Sequence, residues 1–297
     1  MQLKLLKSLS LLALAVPLMA TAQPTSTLDK VKQSGEMTVA YRESSIPFSY
    51  LGDKGQPIGF GFEICEKIVD AVKKTTGRSD LKVKYQAVTS GNRIPLLQNG
   101  TIDIECGSTT NNSERAKQVA FATNYFYTGT RFLVKAGTKI DSIDDLKGKK
   151  VVSTTGTTNY KILRNLNEEK NLGMELLGAK DHADAALMVE TGRAVAFGMD
   201  EILLHGLRAS SRDPASLAVV GKAIQVEPYA IMVRHDDPVF KKLVDDTLAG
   251  MMKSGEFTKL YDKWFMSPIP PKGINLNAAM PPELKENLTA LSDKPAT

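Results

Sequence analysis

From Thr38 onward, short apolar runs alternate with segments whose apolar residues recur every three or four positions. The runs "MTVAY", "LKVKYQAV" and "TIDIEC" read as strands. "FEICEKIVDAVKK" places Ile64, Ile68 and Val72 on one face and reads as a helix. "NRIPLLQNG" reads as a short helix closed by glycine. After residue 130 the alternation restarts with strand "RFLVKAG", helix "SIDDLKG" and strand "KKVVST". Helix "TNYKILRNLNEEK", strand "MELLGA", helix "HADAALMVETG", strand "AVAFGMD" and helix "EILLHGLRA" follow. This alternation predicts parallel sheets with helices on both faces, and two blocks of it predict two α/β lobes. Strand "YAIMVR" comes next, then helical pattern through "FKKLVDDTLAGMMKSG" and "FTKLYDKWF". The proline-rich, polar stretch after Met266 predicts an extended wrap with a loose end.

The first 22 residues follow a different pattern. Lys4 and Lys7 precede an apolar run from Leu9 to Met19, and Ala20-Thr21-Ala22 closes it. This is the layout of a secretory signal peptide, 1–22, with the run too short to span a bilayer. Cleavage after Ala22 would expose Gln23, so no lipidated cysteine is indicated. A periplasmic location is therefore expected. Without Lys4 and Lys7, 36 basic residues face 33 acidic ones in the 297-residue chain. A net charge near +3, with no long basic run, does not argue for nucleic acid. In an oxidising compartment Cys65 and Cys106 could form a disulfide or remain separate buried thiols, and sequence leaves both open.

Polar clusters fall after the predicted strands. "YRESS" carries Arg42, "TSGNR" carries Ser90 and Arg93, and "GSTTNNSER" carries Ser108, Thr110 and Arg115. "TTGTTN" carries Thr157 and Thr158 at a helix start, and Asp200 ends a strand and opens a helix. In open α/β sheets, ligands bind at the carboxyl ends of strands, where helix N-termini favour anions. Each cluster taken singly also reads as ordinary helix capping or, for Arg42 and Arg93, as a surface ion pair. Their common position favours a binding cleft that can hold a carboxylate through hydroxyls, amides and guanidinium groups. Three arginines against Asp200 give the cleft a net charge of +2, which favours an acidic ligand.

"RESSIPFSY", "NRIPLLQNGTIDIECGSTTNNSER", "GTTN", "AKDHADA", "GRAVAFGMD" and "YDKWFMSPIPPKGINLN" together resemble the periplasmic solute-binding proteins of polar amino acid ABC transporters, solute-binding protein family 3. Within that family the likeness is to glutamate/aspartate-binding proteins, and it covers about residues 27–275. The resemblance implies the type II periplasmic binding protein fold, two α/β lobes joined by two hinge segments. Carried onto this chain, the hinges are Tyr125–Gly129 and Gln225–Tyr229. Lobe 1 is then 23–128 plus 229–297, and lobe 2 is 129–228.

The resemblance also implies roles. Arg115, Ser108 and Thr110 clamp the ligand's α-carboxylate, with Thr158 and Thr157 from lobe 2. Asp200 accepts the α-ammonium. Arg42, Ser90, Arg93 and His182 form the pocket for the side-chain carboxylate, although His182 also reads as a cap or packing residue. The implied partners are L-glutamate or L-aspartate and the permease subunits of the transporter, and the chain is expected to act as a monomer. No cofactor or metal is expected. The three histidines lack zinc spacing, and no GxSxG, HExxH, CxxC or complete dinucleotide fingerprint is present. Two alternatives stay open: another polar amino acid such as glutamine, or a periplasmic dehydratase-type enzyme on the same fold. Against the enzyme, Arg115 and Asp200 would clasp an amino acid's head group and leave no free general acid.

Overall fold

The computed structural model describes residues 26–296. The signal-peptide expectation lies outside them. Two sheets form the frame. The first has strand order Lys82–Ala87, Glu36–Tyr41, Ile104–Glu105, Met232–Arg234, Val119–Phe121. The second runs Glu175–Ala179, Lys150–Thr154, Ala196–Asp200, Phe126–Lys135, Leu217–Val220. Helices such as Phe60–Thr76 and Pro238–Ser254 cover the first sheet, and Thr158–Glu169, His182–Glu190 and Glu201–Ser210 accompany the second. The molecule is thus two α/β lobes.

The sheets are mixed rather than parallel. Glu36–Tyr41 pairs in parallel with Lys82–Ala87 and Ile104–Glu105, and Lys150–Thr154 with its two neighbours. Phe126–Lys135 and Met232–Arg234 run against their neighbours. The reason is the connection between lobes. Phe126–Lys135 carries the chain out of the first lobe, and Val226–Tyr229 carries it back in the opposite sense. The two pair antiparallel, with Val226 opposite Gly129 and Tyr229 opposite Phe126.

An aromatic cluster fixes that crossing. The Phe48 ring lies within 6.2 Å of the rings of Phe60, Tyr125, Phe126, Tyr229 and Phe265, all edge-on. Such pairs contribute about 0.5–1.5 kcal/mol each beyond area burial. Phe48 lies in the turn between Ser44–Ser45 and Ser49–Leu51, the first two strands of a small sheet that starts within "YRESS" and that alternation alone did not reveal.

The lobes meet closely on the side of the polar clusters. A Cβ on Gly156 would lie 2.5 Å from Gly91 Cα, and one on Gly206 would lie 2.5 Å from Ile46 O. Gly156 also has a φ of 79°, a conformation other residues adopt at a cost. Glu114 pairs with Lys161 across the gap, and Lys272 Nζ reaches the carbonyls of Ser210 and Ser211, 2.7 Å each.

The tail departs from the expected loose end. Pro282–Ala290 is a helix with proline at its start, where the missing N–H is harmless. Beyond it the chain is tied down. Asn111 donates to Asp293 O at 2.7 Å and Asn124 to Lys294 O at 2.8 Å. Of the two options for the cysteines, the structure shows the disulfide, Cys65–Cys106, with Cα atoms 5.8 Å apart. It ties helix Phe60–Thr76 to the polar loop after Ile104–Glu105. Closing 41 residues of chain corresponds to about 4 kcal/mol of unfolded-state entropy, of which proteins usually realise 2–4 kcal/mol. The pair Cys65→Ala/Cys106→Ala is therefore expected to lose about 2–4 kcal/mol in urea titrations, whereas an unchanged midpoint would show that the bridge is not formed.

Candidate functional site

Six strands deliver polar residues from their carboxyl ends into the seam between the lobes. Ser90, Arg93, Ser108, Thr110, Arg115, Thr157, Thr158, His182 and Asp200 line one tightly closed pocket there, together with Asn159 and Met199. Arg42, the tenth residue expected, lies directly behind, with no exposed surface.

On the first lobe, Arg42 Nη2 donates to Ser90 Oγ at 3.0 Å and to His182 Nε2 at 3.3 Å. Its Nε and Nη1 meet no protein acceptor. Arg93 opens helix Arg93–Gln98. Its Nη1 contacts Ser108 O at 3.5 Å and Glu105 Oε1 at 3.9 Å, and its Nε has no acceptor. Arg115 Nη1 donates to Thr110 O and its Nη2 to Gly156 O in the other lobe, both at 3.1 Å. Burial is the main cause that lowers all three guanidinium pKa values, Arg42 and Arg115 to about 10. All three remain charged at neutral pH.

On the second lobe, three helix N-termini face the seam. Thr157 caps Thr158–Glu169, accepting from Tyr160 N at 3.1 Å and donating to Thr154 O at 2.6 Å. Its single hydroxyl proton is engaged, so its side chain cannot also donate to an anion. Asp181 caps His182–Glu190 and accepts from Ser44 of the first lobe. Asp200 occupies the N-cap position of Glu201–Ser210 without capping it. One oxygen accepts from Asn159 Nδ2 at 2.8 Å and the other from the Tyr229 hydroxyl. Both oxygens retain a lone pair for a cation.

His182 is buried, with Nδ1 2.8 Å from Thr154 Oγ and Nε2 facing Arg42. Because guanidinium only donates, Nε2 accepts and Nδ1 carries the proton. Burial and then the Arg42 charge push its pKa down to about 3, so it is a neutral acceptor that orients Arg42.

Sequence reading missed several members. Glu105, fully buried, receives the Thr109 hydroxyl at 2.6 Å and faces Arg93. Glu227, fully buried on the second crossing strand, receives Thr158 Oγ at 2.9 Å and Gln225 Nε2 at 2.9 Å. Burial, then Asp200, lifts it to about 7. These acids correct the expected charge of +2. Three guanidiniums face Asp200, Glu105, Glu227 and also Asp181, whose Oδ2 lies 3.9 Å from Arg42 Nη2, a balance of −1 when Glu227 is ionised and zero when it is protonated. Glu227 also corrects the expectation that the cleft holds no spare general acid. The available signal was a glutamate at the end of the predicted strand "TIDIEC" and another inside the crossing segment.

A model of the bacterial extracellular solute-binding proteins, family 3, matches residues 37–267. The chain belongs to that family. An L-glutamate/L-aspartate-binding protein of Pseudomonas aeruginosa is 50% identical over 284 residues, covering 95% of this chain and 94% of that one. A glutamate/aspartate import solute-binding protein of Salmonella typhimurium is 51% identical over 269 residues, covering 91% and 89%. Among solved structures, an ancestral amino-acid-binding protein, a precursor of cyclohexadienyl dehydratase, superposes with a TM-score of 0.68 at 29% identity, covering 81% of this chain and 99% of that one. The two lobes are therefore those of the type II binding-protein fold, as expected.

The neutral His182 has a consequence for stability. Its folded pKa lies below the unfolded value near 6.5, so between about pH 6.5 and 3 the unfolded state binds more protons. Its contribution is present above pH 6.5 and is lost as pH falls, by up to about 1.4 kcal/mol per pH unit. Urea titrations at pH 6.5 and 5.0 should show this loss in the wild type and a shallower one in His182→Asn. Equal slopes would mean that His182 is not held neutral.

Proposed function

We propose that this protein captures L-glutamate and L-aspartate in the periplasm and delivers them to the membrane permease of an ABC transporter. We take 23–128 plus 229–297 as lobe 1 and 129–228 as lobe 2. Arg115, Ser108, Thr110 and Thr158 hold the α-carboxylate, and Asp200, oriented by Asn159 and Tyr229, accepts the ammonium. Arg42 and Arg93, with Ser90 and the His182 that orients Arg42, read the side-chain carboxylate. The observation that carries this reading is the pair Arg42 and Arg93, 0% and 2% exposed, whose Nε groups and Arg42 Nη1 meet no protein acceptor. A buried donor without an acceptor costs about 1–3 kcal/mol, more when charged, and a second carboxylate removes that cost. The printed functions of the two relatives near 50% identity support the same ligands.

Delivery depends on movement. The contacts Arg115–Gly156, Glu114–Lys161 and Ser44–Asp181 each join the two lobes. A ligand that touches both half-sites favours this closed arrangement by its differential contacts, and the closed form is what the permease receives.

A second reading, catalysis on the same fold, has one observation in its favour: Glu227 is a buried acid titrating near 7 beside the cavity. Incubation with a cyclohexadienyl acid tests it, and no aromatic product is expected.

The capture reading is tested by Arg93→Gln. Charge-assisted hydrogen bonds contribute about 1.5–3 kcal/mol, and about 1.4 kcal/mol is a factor of ten in affinity. The glutamate:glutamine affinity ratio, measured by calorimetry, should fall at least about tenfold in the variant. Equal weakening of both ligands would place Arg93 on the common head group or in the fold.

A further inference from the structure

Glu227 belongs to none of the roles above, yet it touches the groups that perform them. Its Oε2 accepts from Thr158 Oγ, and Thr158 Oγ lies 3.4 Å from Thr110 Oγ. A threonine hydroxyl has one proton. While Thr158 gives its proton to Glu227, it offers an incoming anion only lone pairs. Thr110 is drawn into the same competition, because its hydroxyl also interacts with Glu227. The two hydroxyls assigned to the α-carboxylate are thus committed elsewhere whenever Glu227 is ionised.

The charged groups around Glu227 do not resolve that conflict. Asp200, at the end of Ala196–Asp200, opposes a negative charge on Glu227, and Arg115 favours one. On Glu227's own strand, Tyr229 gives its proton to Asp200. Arg93 and Glu105, further around the cavity, pair with each other. A ligand carboxylate arriving beside an ionised Glu227 would set two like charges on one hydroxyl, which raises the proton affinity of Glu227.

We propose that Glu227 takes up one proton from solvent when an acidic amino acid binds, and that this frees the Thr158 and Thr110 hydroxyls to donate to the ligand. Once protonated, the carboxyl gives its O–H to a threonine oxygen, and the threonine proton turns to the carboxylate. No covalent bond changes, and the only species consumed besides ligand is the proton. Glu227 is a positioning residue in this scheme, acting through the two threonines. The inference rests on reading the cleft as an acidic amino acid site and adds a pH dependence to it.

The direction follows from linkage. Glu227 titrates near 7 without ligand, and the ligand raises that value. Below pH 7 the group is already neutral and affinity is level. Above it, affinity weakens by up to about tenfold per pH unit until the ligand-bound pKa is passed. His182 stays neutral throughout and adds nothing to this range.

The test is calorimetry of glutamate binding at pH 7.5 in phosphate and in Tris, which differ in ionisation enthalpy, with affinities at pH 6.0 and 8.5. The wild type is expected to take up about 0.5–1 proton per ligand and to weaken at least about fivefold between the two pH values. Glu227→Gln, which cannot ionise, is expected to show no uptake and less than about a twofold change. The wild-type buffer comparison decides the matter alone if the variant does not fold or bind. Binding without proton uptake in the wild type, or undiminished uptake in Glu227→Gln, overturns this inference and leaves the capture reading standing. No glutamate or aspartate binding by the wild type overturns both.

Discussion

Removing a guanidinium from water is costly unless its donors find acceptors and its charge finds a counter-charge. This protein does so three times within one seam, at Arg42, Arg93 and Arg115. Much of the surrounding architecture answers to that constraint. Strand ends place the arginines, Ser90 and His182 accept from Arg42, and the carbonyls of Thr110 and Gly156 receive Arg115. Because Gly156 belongs to the other lobe, satisfying Arg115 and closing the seam are one event. Tight approach at Gly156 and Gly206 allows that closure, and the Phe48 ring cluster holds the crossing strands about which it occurs.

The acids show how the cleft separates its tasks. Asp200 is held by Asn159 and Tyr229 through one bond to each oxygen, which aims it without neutralising it. Glu105 sits behind Arg93 and moderates its charge from within the first lobe. Glu227 stands at the crossing, where a proton and a hydroxyl network meet. The adjustable charge therefore lies at the hinge, where the neighbouring Asp200 opposes ionisation of Glu227.

Much of this was legible in the sequence because periodicity and strand-end chemistry are local. Strand–helix alternation marked two α/β lobes, and all ten candidate residues gather at one seam. What escaped was set by distant contacts. The antiparallel course of Phe126–Lys135 and Met232–Arg234 follows from the chain crossing twice, which no short window encodes. Helix Pro282–Ala290 was hidden by prolines that read as breakers but stand at a helix start. The commitment of Thr157 to capping, and the presence of Glu105 and Glu227 in the charge balance, appear only when separate segments are brought together. The disulfide was undecidable for the same reason, since spacing in sequence says nothing of Cα separation.

The central claim is that the buried arginines select a ligand carrying two carboxylates. Ligand-stripped protein titrated calorimetrically with each of the twenty amino acids tests it most directly. Glutamate and aspartate should bind in the submicromolar range, with glutamine and asparagine at least about a hundredfold weaker, equivalent to about 2.7 kcal/mol. Glutamine or any other neutral amino acid binding as tightly as glutamate would contradict the claim.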